Sequence, residues 1–203
     1  MVKSIALVIL LSLFNLIRMQ AQEKWILKKS EDGIEVYSRK LNNEKYREIK
    51  VVCAFKTTEK KLVEVLKNVD DHKTWVYNTR LSYLLKRKAT DTLIYYTEIS
   101  VPWPANNRDV VIQLTFHKDS MNNILNIEAR NIQGMVPIKK DIVRIPYSLS
   151  NWSIKEVNIN KIQIEYILKI DPGGALPVWL VNYTAAIGPL KTFKKLKMLT
   201  ENL

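Results

Sequence analysis

Cysteine is nearly absent from this chain. Cys53 stands alone among 203 residues, so an intramolecular disulfide is excluded and the fold rests on its core. Cys53 lies in the apolar run Val51-Val52-Cys53-Ala54-Phe55, where it reads as a small buried hydrophobe rather than a nucleophile. Histidine is almost as scarce. His72 falls in an acidic segment and His117 ends an alternating run, and no Cys, His and carboxylate spacing suits a metal. Five glycines and seven prolines exclude collagen-like and low-complexity sequence. Neither a glycine-rich phosphate cradle nor a serine-centred elbow occurs. No catalytic set is legible, and neither a metal nor a cofactor is expected.

Acidic residues are also in short supply. Twenty Asp and Glu face 32 Lys and Arg, for a formal charge of +12. Such a charge suits anionic membrane surfaces or nucleic acid, or simply a lysine-rich soluble surface. The hydrophobic fraction of 47% allows a sizeable core, and the length fits one domain.

The N-terminus differs from the rest. Met1 to Lys3 give a positive start, and Ile5 to Ile17 form an apolar run of 13 residues. That is short of the ~20 residues needed to span a bilayer. Met19-Gln20-Ala21 then offers a small residue before Gln22. This layout predicts a signal peptide over residues 1–21, cleaved after Ala21, and an exported domain over 22–203, periplasmic or secreted. Loss of Lys3 and Arg18 lowers the charge to +10. Export argues against nucleic acid and leaves peripheral contact with an anionic membrane open.

Glu31-Asp32-Gly33 is a turn signal, and Ile34 to Tyr37 alternate after it. A second strand is expected from Tyr46 to Phe55. Thr57 or Thr58 can cap a helix over 58–69, whose Leu62, Val65, Leu66 and Val69 repeat at helical spacing. Extended runs follow at Arg80–Lys88, Thr92–Val101, Asp109–His117, Ile124–Ile132, Ser148–Ile159 and Lys161–Ile170, separated by turn chemistry. In the last run Ile162, Ile164, Tyr166, Leu168 and Ile170 share one face, as in an antiparallel sheet with one buried side.

Asp171-Pro172-Gly173-Gly174 breaks that strand, and a helix is expected from about Leu176 to Glu201. Leu176, Leu180, Tyr183, Ile187, Leu190 and Leu196 suggest its apolar stripe. Lys191, Lys194, Lys195 and Lys197 crowd its end, where they suit the helix dipole and could meet anionic lipid. Gly188-Pro189 should loosen its middle, marking a candidate gate. The order predicts an α+β fold, a curved antiparallel sheet crossed by a long terminal helix, with a cavity between them.

The most specific segment is Val101-Pro102-Trp103-Pro104, continued by Asn107-Arg108-Asp109. Two prolines around a tryptophan make a stiff turn with a large apolar plate. Arg108 and Asp109 read either as a structural pair fixing the turn, or with Arg108 at a pocket mouth facing a lipid head group.

These residues resemble the START (StAR-related lipid-transfer) domain family of the Bet v 1-like superfamily. The resemblance is carried by Trp25 with Asp32 to Tyr37, Trp75, Pro102-Trp103-Pro104 and Asn107-Arg108-Asp109. It continues through Val136-Pro137-Ile138, Val143-Arg144, Trp152, and Asp171 to Pro177 with Trp179 and Asn182. It runs from about residue 24 to 200. It implies a helix-grip fold, with the sheet wrapped around the long C-terminal helix and a tunnel for one lipid or other apolar molecule. With the leader, it fits a bacterial exported member. Sterol-transporting members resemble one another in a buried acid–base pair. Glu98 could match the acid, but the expected base position holds Leu114, which argues against sterol.

The leading expectation is non-catalytic binding of a lipid or hydrophobic small molecule by a monomer, as carrier or sensor. The alternatives are an enzyme of the same fold using Glu98 or Tyr96, and a partner-binding scaffold with a filled pocket. The candidate ligand-contacting residues are Tyr96, Glu98, Trp103, Arg108, Leu114, Tyr166 and Leu168, with Trp179, Tyr183 and Ile187 on the final helix.

Overall fold

A computed structural model describes residues 24–40 and 47–201. The predicted leader and Tyr46, the expected start of the second strand, lie outside the described residues.

Three strands open the fold: β1 (Ile26–Glu31), β2 (Ile34–Lys40) and β3 (Arg47–Phe55). Helix α1 (Glu59–Lys67), a 3-10 turn (Val69–Asp71) and helix α2 (His72–Trp75) follow. Then come β4 (Thr79–Ala89), β5 (Thr92–Ile99), β6 (Asn107–Asp119), β7 (Ile124–Ile132), β8 (Ile142–Arg144), β9 (Tyr147–Asn158) and β10 (Lys161–Asp171). Helix α3 (Val178–Glu201) closes the described chain.

The sequence reading lacks three of these elements, and each has a physical reason. Strand β1 buries none of its residues, so it carries no apolar alternation and is held through its pairing with β2. Trp25, just before it, lies under the cations of Arg39 and Lys50, at 4.4 and 4.9 Å from the ring centre. Strand β8 is three residues paired parallel to β6, too short to show a period. Helix α2 is a single turn.

Among the described residues, nine strands run in the order β1-β2-β3-β10-β9-β7-β6-β5-β4, with β8 attached to β6. Edge strand β4 has three register irregularities against β5 and edge strand β1 has one against β2. Such breaks discourage pairing with other chains. On β10 the expected apolar face holds: Ile162 and Ile164 are fully buried. Tyr166, Leu168 and Ile170 continue the same side under α3.

Capping sets the start of α1, where the Thr58 hydroxyl accepts from the Lys61 amide at 3.3 Å. The helix stops at Lys67 because Asn68 leaves helical geometry, and Val69 belongs to the following turn. Helix α3 packs against β1, β2, β3 and α1, burying Leu180, Ala185, Leu190, Phe193 and Leu196. Its lysines hold it to the body. Lys194 pairs with Glu31 at 2.9 Å and Asp32 at 2.8 Å. Lys197 donates to the Asp32 carbonyl and Lys195 to the Thr74 carbonyl. Asp32 and Gly33 both have positive φ, the geometry of a tight hairpin turn, which presents both acceptors to the helix end.

Candidate ligand-binding cavity

A cavity of about 700 Å3 lies between the inner sheet face and α3. Its origin is a deficit of side chain on the helix. The lining residues of α3 include Val181, Thr184, Ala185, Gly188, Pro189 and Thr192, all small or short. Facing them are Leu114, Tyr166, Leu168 and Ile170 from the sheet. The short residues leave the space between helix and sheet unfilled. Beyond Thr192 a large residue returns. Phe193 stacks on Trp152 at 5.2 Å between ring centres, and Trp152 meets Tyr166 edge-on at 4.8 Å, closing that wall with an aromatic cluster.

Most polar groups on the wall are already occupied. The His72 Nε2 lies 3.0 Å from the Leu66 carbonyl, and burial lowers its pKa to about 4, so the ring is neutral. The Tyr77 amide donates to Thr192 Oγ1 at 3.0 Å, and Thr184 donates to the Leu180 carbonyl at 2.8 Å. Asp171 accepts from the Gly173 amide at 2.9 Å. Tyr166 is pushed up to about 12 by burial, moderated by a side-chain hydrogen bond to Ser150. Tyr95 is raised well above the ordinary tyrosine range, again by burial.

The START domain family profile matches residues 12–202. The chain belongs to the START domain family. It is 28% identical over 179 residues to an uncharacterized protein of Pseudomonas aeruginosa, covering 88% of each chain. A solved STAR-related lipid transfer protein fragment from Xanthomonas axonopodis superposes with a TM-score of 0.77 at 29% identity, over 85% of this chain and 96% of that one. START domain-containing protein 10 of Mus musculus is 24% identical over 181 residues, which are 87% of this chain and 61% of that protein. The helix-grip architecture expected from the sequence is the one observed.

Within this START domain the sequence-predicted residues divide. Leu114, Tyr166 and Leu168 line the cavity together. Ile187 is half-buried on α3 but outside the lining. Trp179 and Tyr183, expected to face inward, are 60% and 49% exposed near the start of α3. Trp103 is 90% exposed in the loop between β5 and β6. The expected helix stripe holds at Leu180, Leu190 and Leu196, which are buried, and at Leu176, which lines the cavity, and it departs at Tyr183, because the cavity face of the helix middle follows short residues.

Tyr96 and Glu98 lie on the outer sheet face, not the inner one. Strand register decides this. Leu114 stands opposite Leu93, so residues 93, 95, 97 and 99 face inward and 94, 96 and 98 outward. The Tyr96 hydroxyl donates to Asp109 at 3.0 Å and to Glu98 at 3.3 Å. Arg80 and Lys139 each reach Glu98 at 3.2 Å. Glu98 therefore shares no cavity site with Leu114.

Arg108 and Asp109 are not a pair either, since adjacent strand residues point to opposite faces. Asp109 is 1% exposed and takes two bonds from Arg144, at 2.6 and 3.0 Å. Arg108 turns inward. Its guanidinium donates to the carbonyls of Asn106 and Gly173, tying the Trp103 loop to the turn that leads into α3. Gly174 lines the cavity with positive φ, and a Cβ there would sit 3.6 Å from the Arg108 guanidinium.

Sequence reasoning missed Tyr95, His72 and Ser150 on the wall. For Tyr95 no signal existed. Both faces of β5 are buried, because Val136 and Lys139 cover the outer one, and alternation vanishes.

Proposed function

We propose that this START domain binds one lipid or other apolar small molecule in the cavity under α3, without catalysis, as a carrier or sensor. The observation that carries the reading is the apolar space of about 700 Å3 created by short residues on α3. That size falls within the roughly 300–1,000 Å3 of small-molecule sites, and burial of apolar surface would supply the affinity. The name of the similar Xanthomonas axonopodis protein, a lipid transfer protein, agrees with it. The polar wall groups favour binding over turnover. His72 is neutral and bonded to a carbonyl, and no carboxylate is paired with it as an orienting partner.

In this reading the chain is exported after loss of residues 1–21 and acts as a monomer. It meets membranes through the end where Trp103 and Trp179 are exposed, since such aromatics favour the lipid–water interface. The α3 lysines are less suited to that contact, being bonded to the β1–β2 turn and Thr74.

Mass spectrometry of organic extracts from the purified protein tests the reading, together with Ala185→Leu. Ala185 is buried on the cavity wall, so added methylenes would occupy ligand space. The expected result is a stoichiometric lipid in the parent and its loss in the variant. A variant that folds and retains the full lipid load would put the ligand elsewhere.

A further inference from the structure

Resting on that reading, we infer that the cavity selects ligands with an uncharged hydrogen-bonding group, a hydroxyl or carbonyl, which meets the Tyr95 hydroxyl. Tyr95 lines the cavity from β5, and its ring is held edge-on against His72 at 5.2 Å between centres. That contact and the strand pairing on both sides hold the ring on the inner face. Among the described residues the hydroxyl has no hydrogen-bond partner.

Two nearby polar groups are engaged elsewhere, His72 with the Leu66 carbonyl and Tyr166 with Ser150, while the buried Nε1 of Trp75, also a lining residue, lacks a partner and would favour an acceptor. A hydroxyl that faces the cavity with no protein partner favours a ligand that completes it over one that does not. The neighbourhood also states the charge of that group. His72 is neutral, and no cationic side chain is among the cavity-lining residues. Arg108 is not a lining residue; its guanidinium donates to two carbonyls and leaves Nε without a partner. An anionic head at Tyr95 would be desolvated without a counter-charge. A cation would find Asp171 on the wall, but Asp171 lies at the β10 end with the turn into α3, on a different element from Tyr95.

The test uses three probes of one chain length: dodecan-1-ol, dodecane and dodecanoate at pH 8. Binding is followed through the fluorescence of the cavity tryptophans, Trp75 and Trp152, in the parent and in Tyr95→Phe. Phenylalanine keeps the ring packing and removes only the hydroxyl. Tyr95→Phe should weaken dodecan-1-ol roughly three- to tenfold, the range of one net hydrogen bond, and leave dodecane within about twofold. In the parent, dodecanoate should bind at least about tenfold more weakly than the alcohol, as burial of an unpaired charge requires.

Equal weakening of alcohol and alkane, or no change in either, overturns the inference while the cavity reading stands. The unchanged case means that water alone satisfies Tyr95. Dodecanoate binding more tightly than the alcohol overturns it as well. Failure of all three probes to bind the parent removes the cavity reading itself.

Discussion

Tyr95 and Tyr96 are adjacent in β5 and face opposite sides of the sheet. The outer hydroxyl, on Tyr96, sits in a closed network with Asp109, Glu98, Arg144 and Lys139. The inner one, on Tyr95, has no partner and opens onto the cavity. The same division repeats one strand over. Asp109 faces out and is held by two bonds from Arg144, and Arg108 faces in, donates to two backbone carbonyls and leaves its Nε without a partner. The comparison separates two uses of buried polarity. A saturated network fixes structure, whereas an unsaturated group keeps a vacancy for something that arrives later.

The largest effect should come from opening the saturated side. Asp109→Asn removes the charge that Arg144 was buried to meet, and Arg144 also holds the carbonyls of Val136 and Pro137. Breaking a buried pair of this kind costs roughly 3–5 kcal/mol. Urea unfolding at pH 7 measures it. A loss below about 1 kcal/mol would mean that the network is solvated and the division between faces is not real.

The inner face should show itself through pH. His72 has a folded pKa of about 4 against an ordinary 6.5. Between those values the unfolded chain takes up a proton that the folded chain refuses, so stability is full above pH 6.5 and falls toward pH 4. The shift sets a ceiling of about 3 kcal/mol. Unfolding midpoints across that window measure the slope. His72→Gln cannot gain the proton and should flatten it.

Smaller again is the contrast between the two tyrosines. Tyr96→Phe removes a hydroxyl that two carboxylates accept from and should cost about 1–2 kcal/mol. Tyr95→Phe should cost less than half of that, since no intramolecular bond is lost. Equal losses, read from paired denaturation curves, would erase the distinction on which the ligand inference stands.

Much of the fold was legible because its strands obey simple periods. The β10 face from Ile162 to Ile170 follows from residue type alone, and so does a threonine cap at 57 or 58, which the structure assigns to Thr58. The site was less so. Strand β5 is apolar on both faces, so residues 95 and 96 compete for the inner side and only register with Leu93 and Leu114 decides. The helix misled for a different reason. Large side chains such as Tyr183 mark a core, but a cavity is made where they are missing, and Thr184, Ala185 and Gly188 are inconspicuous as letters. Register and empty space belong to the assembled sheet and helix, and neither is a property of one segment.

Gly188 offers the smallest and most local test. With Pro189 it reads in sequence as a loose point, and Pro189 does stand inside a continuous α3. Proline withholds one helical hydrogen bond, which favours local opening. Yet Gly188 has a packing reason to be small, since a Cβ there would meet the Tyr77 ring at 3.3 Å. Alanine gains up to about 1 kcal/mol of helix propensity, and the tight contact returns part of it. Gly188→Ala should therefore shift global stability by less than about 1 kcal/mol. Its larger trace should be in hydrogen exchange, where amides around 184–191 slow relative to the parent, most clearly with liposomes present. Exchange unchanged there, with uniform protection along α3 in both proteins, would make the helix a fixed wall, and entry to the cavity would then fall to the Trp103 loop that Arg108 ties down.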